Sequence, residues 1–214
     1  MPKLLMRIIR LLAAAACLAA PLAAQELTRP AEFRVRFDDP AATEADLEMF
    51  VSMPPGWHIT TGPSGIFWDP SVEAQGAFRA EMEVFLFDPK ERREGFGLFV
   101  GGSDLEGDGQ TYTYFLIRDG GQFIIKRRHG ADTEEIIDWT SHAGILSYAD
   151  RGDEASVRNV LAVEAERERV RFLVNGQEVA TMPRSGLYLD GTVGLRINHR
   201  LNLHVSRLEV KPLG

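Results

Sequence analysis

Glu81 and Glu83 stand two residues apart in the run FRAEMEVFLF. On an extended strand both side chains leave the same face, about 7 Å apart. Two carboxylates so placed could act as nucleophile and acid in a retaining glycosidase. Arg79 shares their face and offers a plainer reading, a solvated strand surface with an ion pair. Asp104, Glu106 and Asp108 alternate ahead of Gly109 like the first half of an EF-hand calcium loop. The twelfth position is Phe115 rather than a bidentate carboxylate, so an acidic hairpin loop is favoured and calcium at Asp104, Glu106 and Asp108 is the alternative. His58, His129, His142, His199 and His204 show no metal-ligand spacing and are assigned to packing or surface. No G-x-S-x-G elbow, P-loop or G-x-G-x-x-G after a strand is present.

Aromatic residues give a second kind of candidate chemistry. Tyr112, Tyr114 and Arg118 alternate onto one strand face, and Trp57 and Trp68 lie in a segment punctuated by glycine and proline. Sugars bind by stacking their apolar ring faces on aromatics while carboxylate, amide and guanidinium groups take the hydroxyls. Trp57, Trp68, Glu81, Tyr112, Tyr114, Arg118 and Asn198 are therefore the candidate carbohydrate-binding residues. The competing reading for each aromatic is simple packing.

The elements that must position these residues are strands. Asn159 to Pro183 reads as three in a row, Val160 to Ala165, Val170 to Val174 and Glu178 to Met182, the last two joined across Asn175-Gly176, a strong hairpin signal. Asp119-Gly120-Gly121 marks a second hairpin, between Tyr112 to Arg118 and Gln122 to Arg128. From Ala77 to Phe87 apolar and polar residues alternate without a break, which predicts a central strand with one wet face. Gly95 to Gly101, GFGLFVG, reads as a buried strand. Phe33 to Phe37, Leu47 to Met53, Ile66 to Trp68, Glu134 to Trp139, Thr192 to Ile197 and Leu203 to Val210 complete about a dozen strands with no repeat unit. Ser141 to Asn159 reads as a long excursion. The pattern predicts an all-β, two-layer antiparallel sandwich.

Lys3, Arg7 and Arg10 precede an apolar run from Leu11 to Ala20 and a small-residue end at Ala23-Ala24. That order is a secretory signal peptide, expected to be cut after Ala24. The run is shorter than the roughly 20 residues a spanning helix needs. The one cysteine, Cys17, lies inside this leader. A lipoprotein box is the lesser reading, because the apolar run continues past it. Expected organisation is a leader at 1–24, an N-terminal stretch with the first strand at 25–45 and a sandwich domain at 46–214, in the periplasm or secreted. Loss of the three leader cations takes the formal net charge from −7 to −10. An acidic chain argues against nucleic acid, and Lys126-Arg127-Arg128 reads as a solvated strand end.

Three stretches carry a resemblance to a known superfamily. They are Asn159 to Val179, of the form N-x-L-x-V followed by V-x-F-x-V-N-G; Asp190 to Leu195 with the closing strand Val205 to Val210; and the glycine-led Gly76 to Glu83, GAFRAEME. Together they resemble the concanavalin A-like lectin and glucanase superfamily of jelly rolls, most closely its 3-keto-disaccharide hydrolase-like and laminin G-like domains. The resemblance implies a sugar-binding hollow sheet and a last strand paired beside one near the N-terminus. Laminarinase-type members use E-x-D-x-x-E on a strand, and here those positions read Glu81, Glu83 and Leu86, without the acid. The expectation is thus a carbohydrate-binding jelly roll without catalysis. A 3-keto-glycoside hydrolase and a protein-interaction module are the alternatives. Oligomeric state is not read from the sequence.

Overall fold

The computed structural model describes residues 27–213. The expected leader, Cys17 included, lies outside the described residues. In chain order the strands are β1 (Arg34–Phe37), β2 (Met49–Ser52), β3 (Trp57–Thr60), β4 (Gly65–Ala74), β5 (Phe78–Phe87), β6 (Gly95–Ser103), β7 (Thr111–Arg118), β8 (Gln122–His129), β9 (Asp132–Ser141), β10 (Ser156–Ala165), β11 (Arg169–Val174), β12 (Gln177–Pro183), β13 (Gly191–Ile197) and β14 (Asn202–Pro212). They form two seven-stranded antiparallel sheets, ordered β1-β4-β13-β6-β7-β8-β9 and β12-β11-β10-β5-β14-β3-β2. The architecture is the all-β, two-layer jelly-roll sandwich expected.

Alternation sets which side chains meet between the sheets. Along β5, Phe78, Ala80, Met82, Val84 and Leu86 are buried, while Arg79, Glu81, Glu83, Phe85 and Phe87 are half-exposed. The facing sheet contributes Phe67, Leu98, Val100, Phe115, Ile125 and Leu195 to the same core. Removing this apolar area from water is the main force holding the layers together. The hairpin at Asn175-Gly176 forms as expected, both residues taking the positive φ that a type I′ turn demands, 51° and 78°. The excursion after β9 is shorter than expected, since β10 already begins at Ser156, and buried Asn159 on β10 fastens it: its Nδ2 donates to the Leu146 carbonyl at 2.9 Å, and its Oδ1 accepts the Leu146 N–H at 3.1 Å and the Asn175 Nδ2 at 2.8 Å. The last strand, β14, runs between β5 and β3, so it does pair beside a strand near the N-terminus.

The segment Trp57 to Pro70 holds more strand than its punctuation suggested, since β3 and most of β4 lie within it. β4 passes through Pro70 because β1 pairs only as far as Trp68, leaving no neighbour on that side to need the missing N–H. β1, the strand expected at Phe33 to Phe37, forms an edge of the first sheet. Among the described residues no helix is long and apolar enough to cross a membrane.

Candidate functional site

β6 is buried along both of its faces. One face looks into the core; the other belongs to a second apolar layer on the outside of the first sheet. Register builds that layer in rows. Arg34, Trp68, Gly194, Phe99, Tyr114, Lys126 and Glu135 lie side by side across the sheet, and Arg36, Ile66, Arg196, Gly97, Leu116 and Ile124 form the next row. Gly194 is required between Trp68 and Phe99: a Cβ there would sit 2.5 Å from the Phe99 ring and 2.6 Å from the Phe67 carbonyl oxygen. The rings of Phe99 and Tyr112 lie 5.1 Å apart and those of Tyr112 and Tyr114 5.6 Å apart. Leu105 comes down onto the cluster from the loop after β6.

This layer receives five of the seven nominated side chains. Trp68, Tyr112 and Tyr114 are in it, and Arg118 lies over the Trp139 ring at 4.0 Å. Asn198 continues the alternation of Gly194 and Arg196 one residue past β13, with its Oδ1 buried and, among the described residues, unpartnered. The other two nominated residues are elsewhere. Trp57 faces the main core, its ring 4.8 Å from Phe33, because β3 belongs to the second sheet. Glu81 lies on the outer face of that second sheet, where it accepts hydrogen bonds from Arg79 and Arg207. The seven therefore do not make one surface. Trp68, Tyr112 and Tyr114, moreover, are 3%, 2% and 6% exposed, so they form a floor rather than an open platform.

A cleft of about 410 Å³ opens at the β1 edge of this floor, lined by Arg36, Asp38, Trp68, Glu106, Gln110 and Arg128 among others. Its size suits a small ligand. Trp68 also walls a neighbouring hollow of about 260 Å³ across the Asp104–Leu105–Glu106 loop. Beneath the cleft, Arg196 is 8% exposed and gives two hydrogen bonds to the Asp38 carboxylate. Burial works against its charge, but the Asp38 hydrogen bonds and carboxylate outweigh it and raise the guanidinium further above its ordinary value. Burial pushes the Tyr112 hydroxyl up, and that of Tyr114 up to about 12, so both remain neutral donors near pH 7. Arg36 Nη1 donates to the carbonyls of Leu105 and Gly107, and Arg128 Nε to that of Gly130.

The residues weighed for other chemistry are tied down. Glu83 takes Arg158 at 2.8 Å and the Ser206 hydroxyl at 2.7 Å. Burial would raise its carboxyl, but these partners win and hold it below the usual carboxylate range, the opposite of what a general acid needs. Asp104 accepts the Gly109 N–H at 3.0 Å within its own loop, and Glu106 pairs with Arg34 at 2.7 Å. Among the described residues no group of three or more His, Cys, Asp or Glu could hold a metal ion. His58 and His204 sit side by side on the second sheet, near Phe85 and Phe87, with ring centres 6.2 Å apart. A further hollow of about 580 Å³ lies over Arg79, Glu81, Arg158 and Arg207.

Sequence reasoning passed over Arg36, Asp38, Gln110, Arg128 and Arg196. Arg196 carried a signal, a charge inside the apolar run TVGLRI. Arg128 was read as a solvated end, yet it turns into the cleft.

Known structures match this arrangement in fold. The carbohydrate binding module CBM66 from Bacillus subtilis superposes with a TM-score of 0.59 at 12% identity, over 87% of this chain and 97% of that one. A Bacillus subtilis protein of unknown function with a galectin-like fold gives 0.58 at 12% identity, over 85% and 89%. This chain has the concanavalin A-like, galectin-like jelly-roll fold. No family model and no curated protein sequence matches it. In this jelly roll the outer face of the first sheet is thus partly filled by its own aromatic layer, and open space remains at the β1 edge.

Proposed function

We propose that this jelly roll binds carbohydrate in the cleft at the β1 edge, over the rim of the aromatic floor at Trp68, with Arg36, Gln110 and Arg128 as hydroxyl partners. One observation carries the reading: a cleft of about 410 Å³ in which an indole stands beside planar guanidinium and amide groups. That combination is what a sugar offers contacts to, an apolar ring face edged by hydroxyls. The likeness to a carbohydrate binding module supports it at the level of fold. The reading includes no catalytic step, since Glu81 and Glu83 are each held by arginine. It also places the protein outside the cytoplasm, on the strength of the leader ending at Ala24. Mass spectrometry of exported protein should then find a first residue near Gln25.

A glycan array followed by calorimetry tests the binding. Arg128→Ala should weaken the best sugar severalfold, while Glu81→Gln, on the opposite sheet, should leave it unchanged. Absence of binding to any sugar across the array sinks the proposal.

A further inference from the structure

Charge in the β1 cleft does not balance. Asp38 is taken by Arg196, Glu106 by Arg34 and Glu44 by Arg29, and one oxygen of Asp39 accepts the Ala41 N–H at 2.8 Å. Arg36 and Arg128 line the same cleft, and among the described residues their only acceptors are backbone carbonyls. A guanidinium carries five N–H donors in a planar fork. Arg36 uses Nη1 and Arg128 uses Nε, so the remaining donors have no acceptor among the described residues. Both side chains are half-buried, where loss of water makes an uncompensated charge more eager for an anion. A carboxylate matches such a fork with two parallel hydrogen bonds.

Resting on the carbohydrate reading above, we infer that the cleft takes an acidic sugar, a uronate whose carboxylate is gripped by Arg36 and Arg128. The charges of Arg36, Arg128, Arg196 and Asp38 all act on the buried Tyr112 hydroxyl, which gathers them around one point. Arg196 is cancelled by Asp38, so the surplus at that point is the pair Arg36 and Arg128. The chain as a whole is acidic, with formal net charge −7, and repels polyanions at long range. Any anionic ligand must therefore be held by local contacts, which makes the effect of single substitutions legible. Among the described residues Asp39 is the one carboxylate of the cleft without a guanidinium partner, and its exposure leaves it screened by water and salt.

The test titrates the purified protein with oligomers of galacturonic, glucuronic and mannuronic acid, with neutral oligomers of the matching hexoses, and with polyphosphate. One of the uronates should bind about tenfold or more tightly than its neutral counterpart, and should weaken as salt is raised. Arg128→Gln and Arg36→Gln should each weaken the uronate about tenfold and the neutral oligomer distinctly less, so that the gap between the two closes. Arg36 also holds the loop at Leu105 and Gly107; if its variant loses the native melting transition, Arg128→Gln decides alone. Neutral oligomers bound as tightly as the uronates overturn the acidic ligand but keep the carbohydrate reading. Polyphosphate bound as tightly as the uronates overturns the sugar specificity of the site. A protein that binds no sugar at all removes the carbohydrate reading first, and this inference with it.

Discussion

On the outer face of the second sheet, Glu164 takes Arg79 and Arg171, Glu81 takes Arg79 and Arg207, Glu83 takes Arg158, and Glu209 takes Lys211. Each of these cations has a carboxylate, and several share one. On the outer face of the first sheet Arg34 and Lys126 also have carboxylates, Glu106 and Glu135, but the other arginines are set among aromatics and carbonyls: Arg118 over Trp139, Arg196 over Tyr114 with the carboxylate of Asp38, and Arg36 and Arg128, among the described residues, with backbone oxygens alone. The first arrangement is a saturated ladder. The second leaves donors to spare beside a cleft. Composition alone would make the two faces look alike, and the difference lies in pairing. We place the proposed ligand in the smaller cleft rather than in the hollow of about 580 Å³ over the ladder, because the charges of that hollow already have partners.

The comparison predicts unequal losses when one ion-pair partner is deleted. Asp38→Ala strands the Arg196 guanidinium, which is 8% exposed, and should cost about 3 kcal/mol. Arg79→Met removes one rung of the ladder but leaves Glu164 with Arg171 and Glu81 with Arg207, and should cost only about 1 kcal/mol. Urea unfolding of the two variants against the wild type measures both. Equal losses would mean that the ladder is no more redundant than the single pair.

Much of the sandwich could be read before any coordinates. Alternation along Phe78 to Phe87 and the two hairpin signals fix side-chain direction and register locally, and each strand carries that information in its own residues. Asn159 and Asn175 stand out in the pattern, though only the fold shows that they fasten the loop at Leu146. The site was legible in part. Of the nominated residues only Trp68 lines the cleft; Tyr112, Tyr114, Arg118 and Asn198 share its sheet because they lie on β7 and just past β13. Sequence cannot say which sheet a strand joins, so Trp57 and Glu81, equally plausible by residue type, went to the other one. Pairing is still harder to foresee. Arg36 and Arg128 lie far apart in the chain, and their lack of a carboxylate is a property of the folded neighbourhood.

The two faces should also respond to opposite ends of the pH scale. Tyr114 is held protonated up to about 12, whereas in the unfolded chain it ionises near 10.0. Between those values the unfolded state has released a proton that the folded state keeps. Stability attached to Tyr114 is therefore complete below pH 10.0 and falls as pH rises towards 12. Tyr114→Phe should flatten that alkaline decline in urea midpoints measured across the range. An unchanged alkaline slope would show that the tyrosine floor is wetter than its burial implies.

The acid side belongs to the ladder and carries the smallest effect. Glu83 ionises near 4.5 when unfolded, and in the fold the Ser206 hydroxyl and Arg158 hold its carboxyl lower against the opposing pull of burial. A depressed carboxyl adds stability that is fully present above pH 4.5 and disappears as pH drops through the folded value. Glu83→Gln should thus be less stable than wild type at neutral pH, and the gap should close on acidification. Sugar binding in the first-sheet cleft at neutral pH should not change, because Glu83 lies on the other sheet. A gap that stays constant from neutral to acid would mean Glu83 contributes by packing and hydrogen bonding without its charge, and the ladder would then owe less to ion pairing than its geometry suggests.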